Sequence, residues 1–521
     1  MTNNMSIQIQ LNKYKWYARG GVYVCGYCFD KQGNLLLESS LCDYFSDTHC
    51  AAELKKRLLE ANGLFSVVIH TPDCLIAATD RIRRFPLFYT SQGIITDDPL
   101  SFPSSGEWDV LSKAFYIASG AVLPGHTLLQ DIQQLPPASC AELISSSWEV
   151  SSYASFLSSF PQEKDVSLDE LDVVMNSVFQ RLVTSAKKRQ LIVPLTAGND
   201  SRLILCMLHK MGYNNVICYT VEGKDGDEWE GAHQTALRLG YTHYRVDMQD
   251  ETIQQLCYAN PDEFERYYRY VGAYTNFCWL YDYVAIRYLE KLHIIAKDAI
   301  FVPGHSGDMI AGSHITKSKM RMHMSVRSMA RRMLYVGFEY RKSRLVYNEL
   351  VRYFEIAKRE GYTDYSAYQN WIVQHRQAHN IVHSTRVYDF CGYEVRLPLW
   401  DNELYDLFSH LPYASLMNGR LYTQYVKHVF SLFSLPTKEY TSSWCWFAVA
   451  VRSFVKYNMP KSLLRYIHKI KDPIGEGLLS QPLGEDLSRW LGHPHACTNS
   501  NELLLQWYLM QVYRYFHSRS F

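Results

Sequence analysis

Residues 191–202, LIVPLTAGNDSR, place two hydroxyls, a glycine and a carboxylate in a short turn between an apolar run and the start of a helical pattern. Such a turn suits anions. Exposed main-chain N–H groups and the positive end of the helix dipole attract phosphate, Thr196 and Ser201 add hydroxyls, and Asp200 can hold the magnesium that travels with phosphates. The same residues also fit a plain strand-to-helix turn in which Asp200 and Ser201 merely cap the helix. A second candidate chemistry is thiol-based. Cys25 and Cys28 form CGYC, but inside an apparent strand with no free amine beside it, where a buried structural cysteine is the ordinary outcome.

The elements that must position the turn follow from periodicity. SLDE at Ser167 forms a capping box, and Leu168, Leu171, Met175, Val178 and Leu182 continue at helical spacing. Strands are then predicted at 191–195, 215–221 and 242–248, alternating with helices at 201–211, 228–240 and from 252, and 299–304 reads as a further strand. That alternation is the signature of a parallel sheet covered by helices. Beyond about residue 317 the pattern is almost wholly helical and dense in Arg, Lys and Tyr. Before residue 150 it is β-rich, with short runs at 21–30, 64–70, 74–80, 87–90 and 93–98 and helices at about 48–62 and 107–119. A Ser-rich, irregular stretch separates the halves, and the boundary is set at 151–166.

Composition limits the function. The chain has 521 residues with 47% hydrophobic side chains, enough for two or more packed cores. Lys plus Arg number 53 against 52 Asp plus Glu, a formal charge of +1 that offers no bulk attraction to nucleic acid or anionic lipid. No apolar run reaches membrane-spanning length, the longest lying near 444–451. Thirteen cysteines, with CGYC as the one CxxC and no second pair to complete a metal site, and an N-terminus without a leader predict a reduced, cytoplasmic protein.

VPLTAGNDSRLIL (193–205) resembles the SGGxDS pyrophosphate loop of the asparagine synthetase family, and three further segments agree in order. NVICYTVEGKDGDEWEGAHQTALRLGYTHYRV (215–246) is similar to the family's second strand and Ala-bearing helix, FVPGHSGDMIAGSH (301–314) to its GEGxDExxGGY loop, and GYEVRLPLWDNEL (392–404) to EVRxPFLD. In the first half, NGLFSVVIH (62–70), TDRIRRFPLFY (79–89) and LPGHTLLQDIQQLPPAS resemble segments of the family's glutaminase domain. The resemblance implies an α+β N-terminal sandwich of the Ntn-hydrolase type over 1–150, a linker over 151–166, and over 167–521 an α/β parallel-sheet domain for adenine nucleotides with a helical C-terminal part. It implies ATP and Mg2+ as cofactors, ATP contacts from Leu195, Thr196, Ala197, Gly198, Asn199, Asp200, Ser201, Val221 and Gly304, metal ligation by Asp200 and Asp308, and catalytic roles for His305 and Lys438.

Departures from the family pattern refine these expectations. Thr2 stands where the glutaminase has its nucleophilic cysteine, and no HRGPD-like segment is present, which predicts a glutaminase fold without glutaminase activity. Ala197 replaces a loop glycine, and His305 replaces a glutamate that handles the amine proton, work a neutral imidazole can do. Lys438, in LPTKEY, takes the place of a lysine that balances leaving pyrophosphate, with Lys427 and Arg420 as rivals. Glu228 fits either a magnesium shell or a helix cap, and Arg202 has no family counterpart. The resulting expectation is an ATP-dependent amide-forming ligase that adenylates a small-molecule or peptide carboxylate. Its nitrogen would come from ammonia, an amine or a separate glutaminase, and its substrate class is that of relatives amidating sugar uronates in surface-polysaccharide assembly. A macrolactam- or β-lactam-forming cyclase and a non-catalytic scaffold are the alternatives.

Overall fold

The computed structural model describes residues 7–437 and 508–512, apart from 73, 103, 158–164, 223–226, 249, 258–259, 317–322 and 338–342. Period-2 alternation organises the first half. In strand Asn62–His70, Phe65, Val67 and Ile69 face helices Glu38–Phe45 and Ala51–Glu60, while Val68 faces a second sheet with Leu87, Tyr89 and Ile95. The larger sheet runs, in order, Ser147–Ser152, Ser139–Ile144, Leu75–Thr79, Asn62–His70, Val22–Phe29 and Trp16–Arg19, with Leu35–Leu37 also on Val22–Phe29. The smaller comprises Gln8–Gln10, Ile94–Thr96, Phe88–Tyr89 and Gln133–Gln134. Helix Val110–Ser119 starts later than the pattern predicts because Asp109 caps it, accepting from the Ser112 amide at 2.6 Å.

In the second half the capping box forms as read. Ser167 Oγ accepts from Glu170 N at 3.1 Å, Glu170 Oε2 accepts from Ser167 N at 2.9 Å, and helix Leu168–Ala186 follows. Five parallel strands then lie in the order Thr242–Asp247, Val216–Glu222, Leu191–Pro194, Ile300–Phe301 and Glu394–Val395. Leu191, Ile192 and Val193 are each 0% exposed, as expected of a central strand covered on both faces. The last strand, inside the region read as helical, was missed because two residues carry no period. In chain order the strands stand third, second, first, fourth, fifth, so connections leave in opposite directions between Leu191–Pro194 and Ile300–Phe301. That gap is the switch point at which open α/β sheets form a crevice beyond their strand ends.

The two halves share a core. Val122 N donates to Thr275 O at 2.9 Å and Phe277 N to Gly120 O at 2.8 Å, and Arg181 forks onto Asp401 at 2.8 and 2.9 Å beside the Asn62–Asp401 hydrogen bond. The segment proposed as linker opens with the end of strand Ser147–Ser152, and Phe156 packs edge-on against Tyr405 at 4.2 Å. No helix among the described residues is long and apolar enough to cross a membrane.

Candidate active site

The loop after Leu191–Pro194 and the loop after Ile300–Phe301 meet over the switch point. Their approach is close: a Cβ on Gly304 would lie 2.7 Å from Ser201 N, so only glycine permits it. The contact brings together two carboxylates 108 residues apart in sequence, with Asp308 N donating to Asp200 Oδ2 at 3.2 Å. Tyr422 donates to Asp200 Oδ1 at 2.7 Å, and Ser313 to Asp308 Oδ2 at 3.0 Å. Burial and then the Asp308 charge push the Asp200 carboxyl well above the usual carboxylate range, and burial raises Asp308 as well. Two facing carboxylates resist simultaneous ionisation until a proton or a cation sits between them.

Asn199 Oδ1 is buried without a hydrogen-bond partner. As an acceptor it suits a hydroxyl or a metal-bound water rather than a phosphate oxygen. The donor set is therefore of the hard-oxygen kind that magnesium takes, one or two carboxylates with waters and phosphates completing the shell. Among the described residues no cluster of three or more His, Cys, Asp or Glu gathers as a metal cage.

The rest of the first loop is internally ordered. Ser201 Oγ accepts from Thr196 N at 3.0 Å, Thr196 Oγ1 accepts from Gly198 N at 3.2 Å, and helix Asn199–Lys210 begins behind them. Ala197 does not fill the loop mouth. A Cβ on Gly231 would stand 2.9 Å from Ala197 Cβ, so the alanine methyl lies against helix Asp227–Arg238 at the point where that helix has no side chain. Glu228, at the start of that helix, turns to the first loop, where its Oε2 accepts from Ala197 N at 2.6 Å. Leu195 is 1% exposed, and its backbone is bound to the neighbouring strand through Tyr219 O and the Thr220 hydroxyl. Val221 is half-buried near the end of strand Val216–Glu222, paired with Val246.

His305 stands on the second loop, three residues before Asp308. Burial lowers its imidazole to about 4. Ser384 Oγ, 3.4 Å from His305 Nε2, already donates to Ile381 O at 2.7 Å, so it accepts from Nε2–H and leaves Nδ1 as the lone-pair nitrogen. Lys438 lies outside the described residues, as does Thr2. Lys427 and Arg420 are exposed on helix Arg420–Leu432, whose buried face carries Tyr422 and Tyr425. Arg202 is 3% exposed and ties the approach to Lys438: Nη2 donates to Pro436 O at 2.6 Å and Nε to Thr235 Oγ1 at 2.8 Å.

Sequence reasoning did not find Tyr422, Ser313 or Ser384. Each is an ordinary polar residue on an ordinary pattern, and Tyr422 is one of 39 tyrosines. Cys25 and Cys28 are 2% and 0% exposed within strand Val22–Phe29, and burial raises both thiols, against nucleophilic use.

Comparison with known proteins agrees with the crevice. No curated protein matches the chain. Among solved structures, a predicted subunit of tRNA methyltransferase from Methanocaldococcus jannaschii is 19% identical over 32% of this chain and 75% of that one, with a TM-score of 0.15, too slight a likeness to carry an argument. Residues 172–442, just over half of the chain and inclusive of both loops and Tyr422, match the asparagine synthase family. The chain belongs to the asparagine synthase family, a family of ATP-dependent amidating ligases.

Proposed function

We propose that this chain forms an amide by adenylating a substrate carboxylate, with release of pyrophosphate, and then passing the acyl group to an amine or ammonia with release of AMP. The observation that carries this reading is the meeting of Asp200 and Asp308 across the switch point, 3.2 Å apart through the Asp308 amide. Asp200 and Asp308 would hold Mg2+, which when bound neutralises phosphate charge. Thr196, Gly198 and Ser201 offer the pyrophosphate end of ATP hydroxyl and main-chain donors at a helix N-terminus, and Glu228 competes with that anion for the Ala197 amide. Leu195, Val221 and Gly304 flank the strand ends where the nucleoside would lie. The Asn199 carbonyl oxygen supplies a buried acceptor.

His305 Nδ1 takes the proton of the attacking nitrogen in this scheme. Burial alone makes that imidazole a weak base, and an adjacent phosphate monoanion raises it toward usefulness. Lys438, two residues beyond the Pro436 carbonyl that Arg202 holds, is the proposed partner of leaving pyrophosphate. The first 150 residues serve as a glutaminase-like sandwich without glutaminase activity, on the strength of two cysteines sealed in a strand. Nitrogen then comes from ammonia, a substrate amine or a separate glutaminase, and the acid is a sugar uronate of surface-polysaccharide assembly.

The test is carboxylate-dependent exchange of labelled pyrophosphate into ATP, with magnesium and pooled uronates, amino acids and peptides. Exchange with the uronate pool is expected. Exchange only with an amino acid or peptide would replace the uronate by a cyclase-type substrate, and neither exchange nor ATP binding would leave a scaffold.

A further inference from the structure

A second cluster lies away from the crevice, where the turn after strand Leu75–Thr79 meets the start of helix Arg386–Phe390. Arg83 is 2% exposed and Arg386 1% exposed, one from each half of the chain. Arg84, next to Arg83 in the chain, forks onto Asp389 on the same short helix as Arg386, and the Arg386 guanidinium disfavours the charge of Arg83. Arg83 Nε and Nη1 and Arg386 Nε are buried without acceptors, as is the Tyr14 hydroxyl. Arg386 Nη1 does face His383 Nε2 at 3.3 Å, but that nitrogen also contacts Val271 O. A carbonyl only accepts, so Nε2 carries the hydrogen and cannot take one from Arg386.

The carboxylates in range are committed elsewhere. Asp389 receives Arg84 on both oxygens, at 2.7 and 2.9 Å. Asp80 accepts from the amides of Phe65, Ile82 and Arg84, and Asp97 from the amides of Asn12, Lys13 and Tyr14 and the Trp16 indole. Sealed guanidinium donors without acceptors are among the costliest groups a fold can carry. What the cluster lacks is one compact acceptor with several lone pairs and a negative charge.

We propose that the seam between the two halves binds a small monoanion, chloride or a short carboxylate, through Arg83, Arg386 and Tyr14. The site is independent of the ligase reading, since none of these residues contacts the Asp200–Asp308 crevice. Arg83 has a left-handed φ of 55°, a conformation glycine adopts freely, so Arg83→Gly removes the guanidinium while easing the backbone.

The experiment measures thermal unfolding of the full chain at constant ionic strength, with chloride or formate replacing a bulky sulfonate. A saturable rise of about 2–4 °C in Tm is expected in the wild type. The rise should vanish in Arg83→Gly, or in Arg386→Gln should the first variant not fold. Bromide soaked into crystals should give an anomalous peak beside both guanidiniums. A formate response exceeding the chloride response would identify a carboxylate ligand. Equal Tm in all anions together with water density in place of bromide would overturn the proposal.

Discussion

The larger N-terminal sheet and the C-terminal parallel sheet bury reactive side chains to opposite ends. In the N-terminal sheet, Cys25 and Cys28 lie within a paired strand, and burial raises thiols that nothing in the strand can reach. In the C-terminal sheet, Asp200 and Asp308 sit just past strand ends, and burial sets two like charges against each other over a crevice. Position along the strand separates the outcomes. A side chain inside a ladder is packed by neighbours on both sides, whereas loops at a switch point face a gap that the sheet topology leaves unfilled.

The largest expected effect tests the crevice side of that contrast. Asp200→Ala or Asp308→Ala should lower pyrophosphate exchange by about 10³-fold or more with the circular-dichroism spectrum unchanged, since both are assigned to the metal. Full activity in both variants would erase the distinction between the sheets. Tyr422→Phe sharpens it, because it removes one hydrogen bond to a carboxylate, worth about 1.5–3 kcal/mol. The magnesium concentration for half-maximal exchange should rise about 10-fold or more, at an unchanged melting temperature within a few degrees.

Gly231→Ala probes why the alanine of the loop is tolerated. The new methyl would meet Ala197 Cβ at 2.9 Å, so overpacking of about 1–3 kcal/mol is expected, read as weaker ATP binding by calorimetry. A pH titration addresses the seam between the halves. His375, stacked on Trp371 at 3.9 Å, is lowered by burial to about 3, below its unfolded value near 6.5. The unfolded chain therefore binds the proton first. The stabilisation is fully present above pH 6.5 and is lost as pH falls toward 3, by on the order of 5 kcal/mol, and His375→Gln should flatten that acid limb in urea titrations. The smallest effect belongs to the other sheet: Cys25→Ser and Cys28→Ser should leave ammonia-dependent product formation unchanged, and a glutamine hydrolysis lost on either change would break the comparison outright.

Much of the architecture is legible from periodicity. The strands at 191–195, 215–221 and 242–248 and the helix behind the capping box at Ser167 form within a residue or two of their predicted bounds. Helix Glu38–Phe45 escaped because ESSLCDYF is short and lacks a side-chain-capped start. Strand Glu394–Val395 is too brief to show alternation on its own, whereas Ile300–Phe301 forms inside the strand read at 299–304. Ala197 fits against the neighbouring helix for a reason thirty-four residues away, at Gly231, which has no side chain to meet the alanine methyl.

By itself the sequence determined the local elements and the candidate carboxylates, because hydrophobic period and turn chemistry act over a few residues and an anion-binding turn must follow its strand directly. Only the tertiary structure decided which strand is central, and hence that the loops of Asp200 and Asp308 share one crevice. It also decided that Tyr422 bonds to Asp200, and that Arg83 and Arg386 are sealed together in a seam. Those arrangements depend on which surfaces bury one another across more than a hundred residues of chain, a competition among long-range contacts that no local pattern records.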